Sequence, residues 1–156
     1  MENIRFDDVE KLRSKVSQEF SAWSQPIDVT QDKINQFADV TGDHQWIHID
    51  VERAKRESPF KTPVAHGFLT LSLIPAFEIP RDWNVTSFRN VVNYGANKLR
   101  FISPVPAGAK VHARSRVVAV EPKPQGTQVT METQVQVVGQ DKPALIYEGI
   151  FLYVKP

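Results

Sequence analysis

A chain of 156 residues, 41% apolar and 24% charged, has room for one sizeable core and the balance of an ordinary globular protein. Its net charge of +1 removes the electrostatic case for nucleic acid or an anionic membrane surface, and no run approaches the ~18 apolar residues of a membrane span. Zero cysteines exclude disulfides, thiolate metal sites and a cysteine nucleophile, which fits a reducing, cytoplasmic setting.

The N-terminus, Met1-Glu2-Asn3-Ile4-Arg5-Phe6-Asp7-Asp8, is charged and lacks the apolar stretch of a signal peptide. Val9, Leu12 and Val16 share a helical face, so residues 6–18 read as a short helix and 1–20 as a helical extension of a single 1–156 domain. Residues 21–29 read as an edge strand, because Pro26 would interrupt a central ladder. Thr30 is a good N-cap for a helix carrying Ile34, Phe37 and Ala38, and Gly42 is its natural stop. Asp50 can cap a second helix, 51–57, and 58–63 is a loop. From His66 to Phe77 the chain is apolar on nearly every side, the mark of a buried helix, with Pro75 expected to kink or end it.

The second half supplies the sheet to enclose that helix. Residues 85–103 form a long strand or a bent pair with a possible bulge at Gly95. Strands follow over 110–121, 127–138 and 144–155, separated by turn formers at 104–108, 122–126 and 139–143. Val129, Met131, Thr133, Val135 and Val137 alternate with polar residues, so the strand turns one face inward. The fold class is α+β: a curved antiparallel sheet wrapped around one long buried helix.

Two clusters carry chemistry. Gly42-Asp43-His44-Gln45-Trp46-Ile47-His48-Ile49-Asp50 places a carboxylate and an imidazole five residues apart, directly after a helix end. Pro63-Val64-Ala65-His66-Gly67 opens the apolar helix, where first-turn amides lack intrahelical partners. An acid/base pair beside such amides can activate water next to a carbonyl. His44 and His48 are four apart, but no third metal ligand is evident, so no metal is expected.

These clusters, with Asn93-Tyr94-Gly95-Ala96-Asn97-Lys98-Leu99-Arg100-Phe101 and Pro104-Val105-Pro106-Ala107-Gly108, resemble the hot-dog fold and, within it, the MaoC-like, (R)-specific enoyl-CoA hydratase family, in its nodulation protein N-like branch. The family pattern Asp-x-Asn-Pro-hydrophobic-His-x-Asp reads here from Asp43 to Asp50, with Gln45-Trp46 in place of Asn-Pro. The resemblance implies reversible addition of water to trans-2-enoyl thioesters to give (3R)-3-hydroxyacyl thioesters. It assigns Asp43 and His48 as the catalytic pair and the Gly67 N–H to the thioester oxygen. Gln45, His66 and Ser72 are supporting candidates. It further implies an acyl-CoA or acyl-carrier substrate, no cofactor, and a homodimer or larger homo-oligomer. Two alternatives stay open: a hot-dog thioesterase, in which water attacks the carbonyl, and a non-catalytic acyl-binding subunit.

Overall fold

The computed structural model describes residues 1–156. Seven strands form two sheets. Strands β2 (Ile27–Val29), β4 (Asn90–Phe101), β5 (Ala109–Lys123), β6 (Gly126–Val137) and β7 (Leu145–Val154) make a five-stranded antiparallel sheet in the order β2-β5-β6-β7-β4. A smaller parallel pair joins β1 (Glu2–Arg5) to β3 (Trp83–Thr86). Register shifts between Asn93 and Gly95, Ala96 and Lys98, and Val117 and Ala119 break the ladders, as extra residues do when strands bend.

Helices gather on one face of the large sheet: α1 (Val9–Arg13), α2 (Gln31–Thr41), α3 (Trp46–Ile49), α4 (Val51–Glu57) and α5 (Gly67–Ser72), followed by a 3-10 turn over Ile74–Ala76. The inner face carries two layers of core. One joins Val29, Ile34, Leu69, Phe77, Val111, Val135 and Leu145. The other joins Ile4, Leu12, Trp83, Val85, Val117 and Val129. The inward alternation of β6 is visible in both, through Val135 in the first and Val129 in the second.

Three expectations are corrected. The N-terminal helix over 6–18 is only α1, and a strand precedes it. Ile4 and Phe6 alternate inward against Trp83 and Val85, so period-two burial outcompetes a helix whose third apolar position, Val16, is exposed. The edge strand over 21–29 is regular only in β2. Before it the chain follows the β5 edge irregularly, and Ser21 and Ser24 hydroxyls accept from the Ser115 and Ala113 N–H groups. This segment lays Phe20 and Trp23 over the outer face, against Arg114 at 4.7 and 4.5 Å.

The long buried helix over 66–77 is short and one-sided. Pro75 lacks an amide hydrogen and cannot extend the α-helical ladder, so α5 ends at Ser72 and tightens into the 3-10 turn. Leu69 and Thr70 face the sheet, while Phe68 is 61% exposed. The sheet covers one side of α5 and leaves the other to solvent.

Candidate active site

The local sequence builds the site from a helix end. Thr30 Oγ1 accepts from the Lys33 N–H and starts α2. Gly42 ends it in the left-handed region at φ +78°, with its N–H on the Ala38 carbonyl. The chain turns at once, and Asp43 Oδ1 accepts from the Gln45 N–H at 3.3 Å. That turn starts α3, whose single turn carries His48 inward while Asp43 stays at the exposed mouth. Asp50 Oδ1 accepts from the Arg53 N–H at 3.0 Å and is the N-cap of α4.

His48 is 7% exposed. Its Nδ1–H donates to the Val64 carbonyl at 2.6 Å, which leaves the lone pair on Nε2. Burial pushes its pKa below the ordinary imidazole value, and the adjacent His66 pushes the same way. The Val64 bond and the Asp43 charge oppose them without reversing the direction. His48 is therefore a neutral base at neutral pH. Its position is fixed from both sides: Val64 N–H donates to the Ile47 carbonyl, and Gln31 Nε2 donates to the carbonyl of His48 itself at 2.7 Å.

His66 lies behind the pair. Its Nε2–H donates to the Asp43 carbonyl at 2.9 Å, and its ring stacks on His48 with centroids 3.8 Å apart. Its Nδ1 is buried without a protein partner. Gly67 follows as the first residue of α5. The Leu69 and Thr70 amides both reach back to the His66 carbonyl, so the amides of Gly67 and Phe68 are the ones a first turn leaves free. Six residues make a weak dipole, and the free amide itself is what the helix end supplies. A Cβ on Gly67 would lie 2.8 Å from the Phe101 ring, so glycine is needed for that ring to close over the backbone.

A cavity of about 430 Å³ is lined by Phe37, Asp43, His48, His66, Gly67 and Ser72 among others, bringing the proposed pair and the amide to one space. Side-chain donor atoms of Asp43, His48 and His66 lie within 4.8 Å of one another. His66 is thus the third donor that sequence spacing did not reveal. The two rings stack with 25° between their planes, each donates through one nitrogen to a carbonyl, and each keeps a lone pair on the other, Nε2 of His48 and Nδ1 of His66.

Two supporting candidates stand differently. Gln45 contributes its backbone: its N–H meets Asp43 and its carbonyl receives the His48 N–H, while its side chain makes no cap bond. Ser72 Oγ–H donates to the Phe68 carbonyl at 2.7 Å, so its hydroxyl proton is turned into the helix. Sequence reasoning missed the Val64 carbonyl and the Phe101 ring. A backbone acceptor has no residue signature, and Phe101 is 34 positions from Gly67.

A conserved-domain description, MaoC like domain, matches residues 14–139, and the chain belongs to this family of hot-dog hydratases and dehydratases, a hydro-lyase family. Among relatives, the 3-hydroxyacyl-thioester dehydratase Z of Mycobacterium tuberculosis (strain H37Rv) is 48% identical over 129 residues, covering 82% of this chain and 84% of the relative. Nodulation protein N of Rhizobium leguminosarum bv. viciae is 41% identical over 135 residues, covering 85% and 82%. The solved R-hydratase PhaJ1 of Pseudomonas aeruginosa superposes with a TM-score of 0.67 at 25% identity, covering 88% of this chain and 81% of that one. No helix of the chain is long and apolar enough to cross a membrane.

Proposed function

We propose that the chain catalyses reversible hydration of trans-2-enoyl thioesters to (3R)-3-hydroxyacyl thioesters. The observation that carries this reading is the buried His48, fixed through Nδ1 and open at Nε2, beside the Asp43 carboxylate and the Gly67 amide in one cavity. The names of the dehydratase Z and R-hydratase relatives support it.

In the hydration direction, a water held between Asp43 and His48 bonds through oxygen to C3. One of the pair takes the water proton, and a proton is delivered from the same site to C2. The electron pair of the C2=C3 bond moves towards the thioester oxygen, which the Gly67 N–H holds as negative charge accumulates. General acid–base help of this kind is worth ~10²–10⁴ in rate, and one oxyanion donor ~10²–10³. None of these steps requires a cofactor. Asp43 and His48 act as a coupled pair.

The substrate reading extends to the acyl carrier, CoA or an acyl carrier protein. The active form is proposed to be a homodimer. Strand β4 pairs only with β7, leaving twelve residues of sheet edge bare, and Val91, Val92, Tyr94 and Phe101 are exposed along it.

Loss of the conjugated enoyl absorbance of crotonyl-CoA, followed in the wild type and in Asp43→Asn and His48→Asn, tests the reaction. Hydration falling by at least ~10² in both variants, with no thiol released, is the expected result. Free thiol release instead would identify a thioesterase, and a flat trace with short and longer enoyl chains would sink the catalytic reading.

A further inference from the structure

The catalytic cavity does not end at the reacting atoms. Ser72 lines it and also lines a second groove of about 390 Å³, whose other walls are Leu71, Ile74, Pro75, Asn93, Tyr147 and Phe151. This groove lies between the end of α5 and the inner face of β4 and β7. A thioester whose carbonyl meets Gly67 and whose C3 meets Asp43 and His48 sends its carrier arm away on the sulfur side and its acyl tail away beyond C3. Continuing along α5 past Ser72, that tail enters the groove, whose lining is mostly apolar.

The floor of the groove depends on a glycine. Tyr147, Gly149 and Phe151 share the inner face of β7 by the two-residue period. A Cβ built on Gly149 would lie 2.5 Å from Tyr147 Cε1, 2.7 Å from Cζ and 2.8 Å from Oη. The tyrosine ring therefore lies along the strand, flat over the missing side chain. A side chain at 149 would displace this ring, and the groove that Tyr147 lines is open space beside it.

We infer that the Tyr147–Gly149 pair sets the depth of the acyl groove and hence the chain length accepted, with tails longer than crotonyl lying over the Tyr147 ring. This rests on the hydratase reading above for its substrate.

The test compares kcat/KM for trans-2-octenoyl-CoA with that for crotonyl-CoA. In Gly149→Ala the octenoyl-to-crotonyl ratio is expected to fall at least about tenfold, since four methylenes lose their apolar surroundings. Tyr147→Leu added to Gly149→Ala removes the displaced ring, and the ratio should return to within about threefold of wild type. Titration calorimetry with the saturated octanoyl-CoA and butyryl-CoA reads the groove without catalysis. Octanoyl-CoA should bind more tightly to the wild type, and Gly149→Ala should erase the preference. If the wild type hydrates neither enoyl-CoA yet keeps this calorimetric pattern, the groove stands and the hydratase reading falls. A ratio and a binding preference both unmoved by Gly149→Ala, or unrestored by the double variant, overturn the inference.

Discussion

His66 holds His48 by stacking and Asp43 by a hydrogen bond: the rings of His48 and His66 are 3.8 Å apart, and His66 Nε2–H meets the Asp43 carbonyl at 2.9 Å. One buried side chain thus fixes both proposed catalytic residues while presenting neither its ring face nor its Nε2–H to a substrate. That position fits a residue that sets geometry, and the following substitutions test it. His66→Ala should lower kcat about tenfold to hundredfold with a much smaller change in KM, because the reacting groups lose alignment. His66→Gln can restore a donor to the Asp43 carbonyl and should recover part of the loss. Equal damage from both, expressed mainly in KM, would contradict a positioning role.

The pH dependence follows from the lowered pKa of His48, caused first by burial. An imidazole in the unfolded chain titrates near ~6.5. Below that value the unfolded state binds a proton that folded His48 resists, so stability is fully present above ~6.5 and declines as the pH falls. Burial and Arg114 lower the pKa of His112 and give it the same sign. His44 is raised by exposed Asp39, which gives the opposite sign weakened by solvent. Urea unfolding at pH 7.5 and 5.5 should reveal lower stability at the acid pH, with a smaller difference in His48→Asn. The acid limb of kcat/KM should lie below ~6.5. An acid limb above that value would contradict a neutral buried base.

Much of the site was legible in the chain because its positioning devices are local. Thr30 as a cap, Gly42 as a stop and Asp50 as the cap of α4 each act within a few residues, and their side chains declare the role. The second half was legible through the alternation of β6 and the turns between strands. The failures share a long-range cause. Whether Ile4 belongs to a strand and Phe6 turns inward just after it is decided by Trp83 and Val85, some eighty residues away. An all-apolar pattern from 66 to 77 told of burial without telling that the sheet covers one side, leaving Phe68 exposed. The stack of His66 on His48 likewise depends on α3 and the 63–65 segment being tied through Ile47 and Val64.

Gly67 is constrained by Phe101 as well as by its proposed chemistry. A methyl group there would lie 2.8, 2.9 and 3.1 Å from three ring carbons. Gly67→Ala should therefore destabilise the fold by about 1–3 kcal/mol through overpacking. Because it also crowds the amide, activity should fall at least about tenfold. Phe101→Leu in the same chain relieves the ring contact and should recover most of the stability without recovering most of the activity. Thermal melting and hydration rates on both variants separate the two effects. If stability fails to recover in the double variant, the Phe101 contact is not what excludes a side chain at 67.

The bare edge of β4 makes the last prediction. Twelve residues of strand have one side unpaired, a length at which an edge invites another chain unless charge, proline or a bulge protects it. The bulges at 93–95 and 96–98 give partial protection, but Val92 and Tyr94 are 40% and 67% exposed. Phe101, at the end of the same strand, meets exposed Phe68 with ring centroids 5.7 Å apart, so this apolar surface runs from the edge to the rim of the catalytic cavity. A second copy pairing along β4 would cover both at once. Light scattering at micromolar concentration should give the mass of two chains. Val92→Lys with Tyr94→Lys should shift that mass towards one chain, because two desolvated ammonium groups oppose the contact. Hydration should fall with the dimer, since Phe68 and Phe101 would lose their cover. A wild type that runs as a single chain at full activity would end this argument, whereas a charge-substituted monomer that keeps its activity would separate pairing from catalysis.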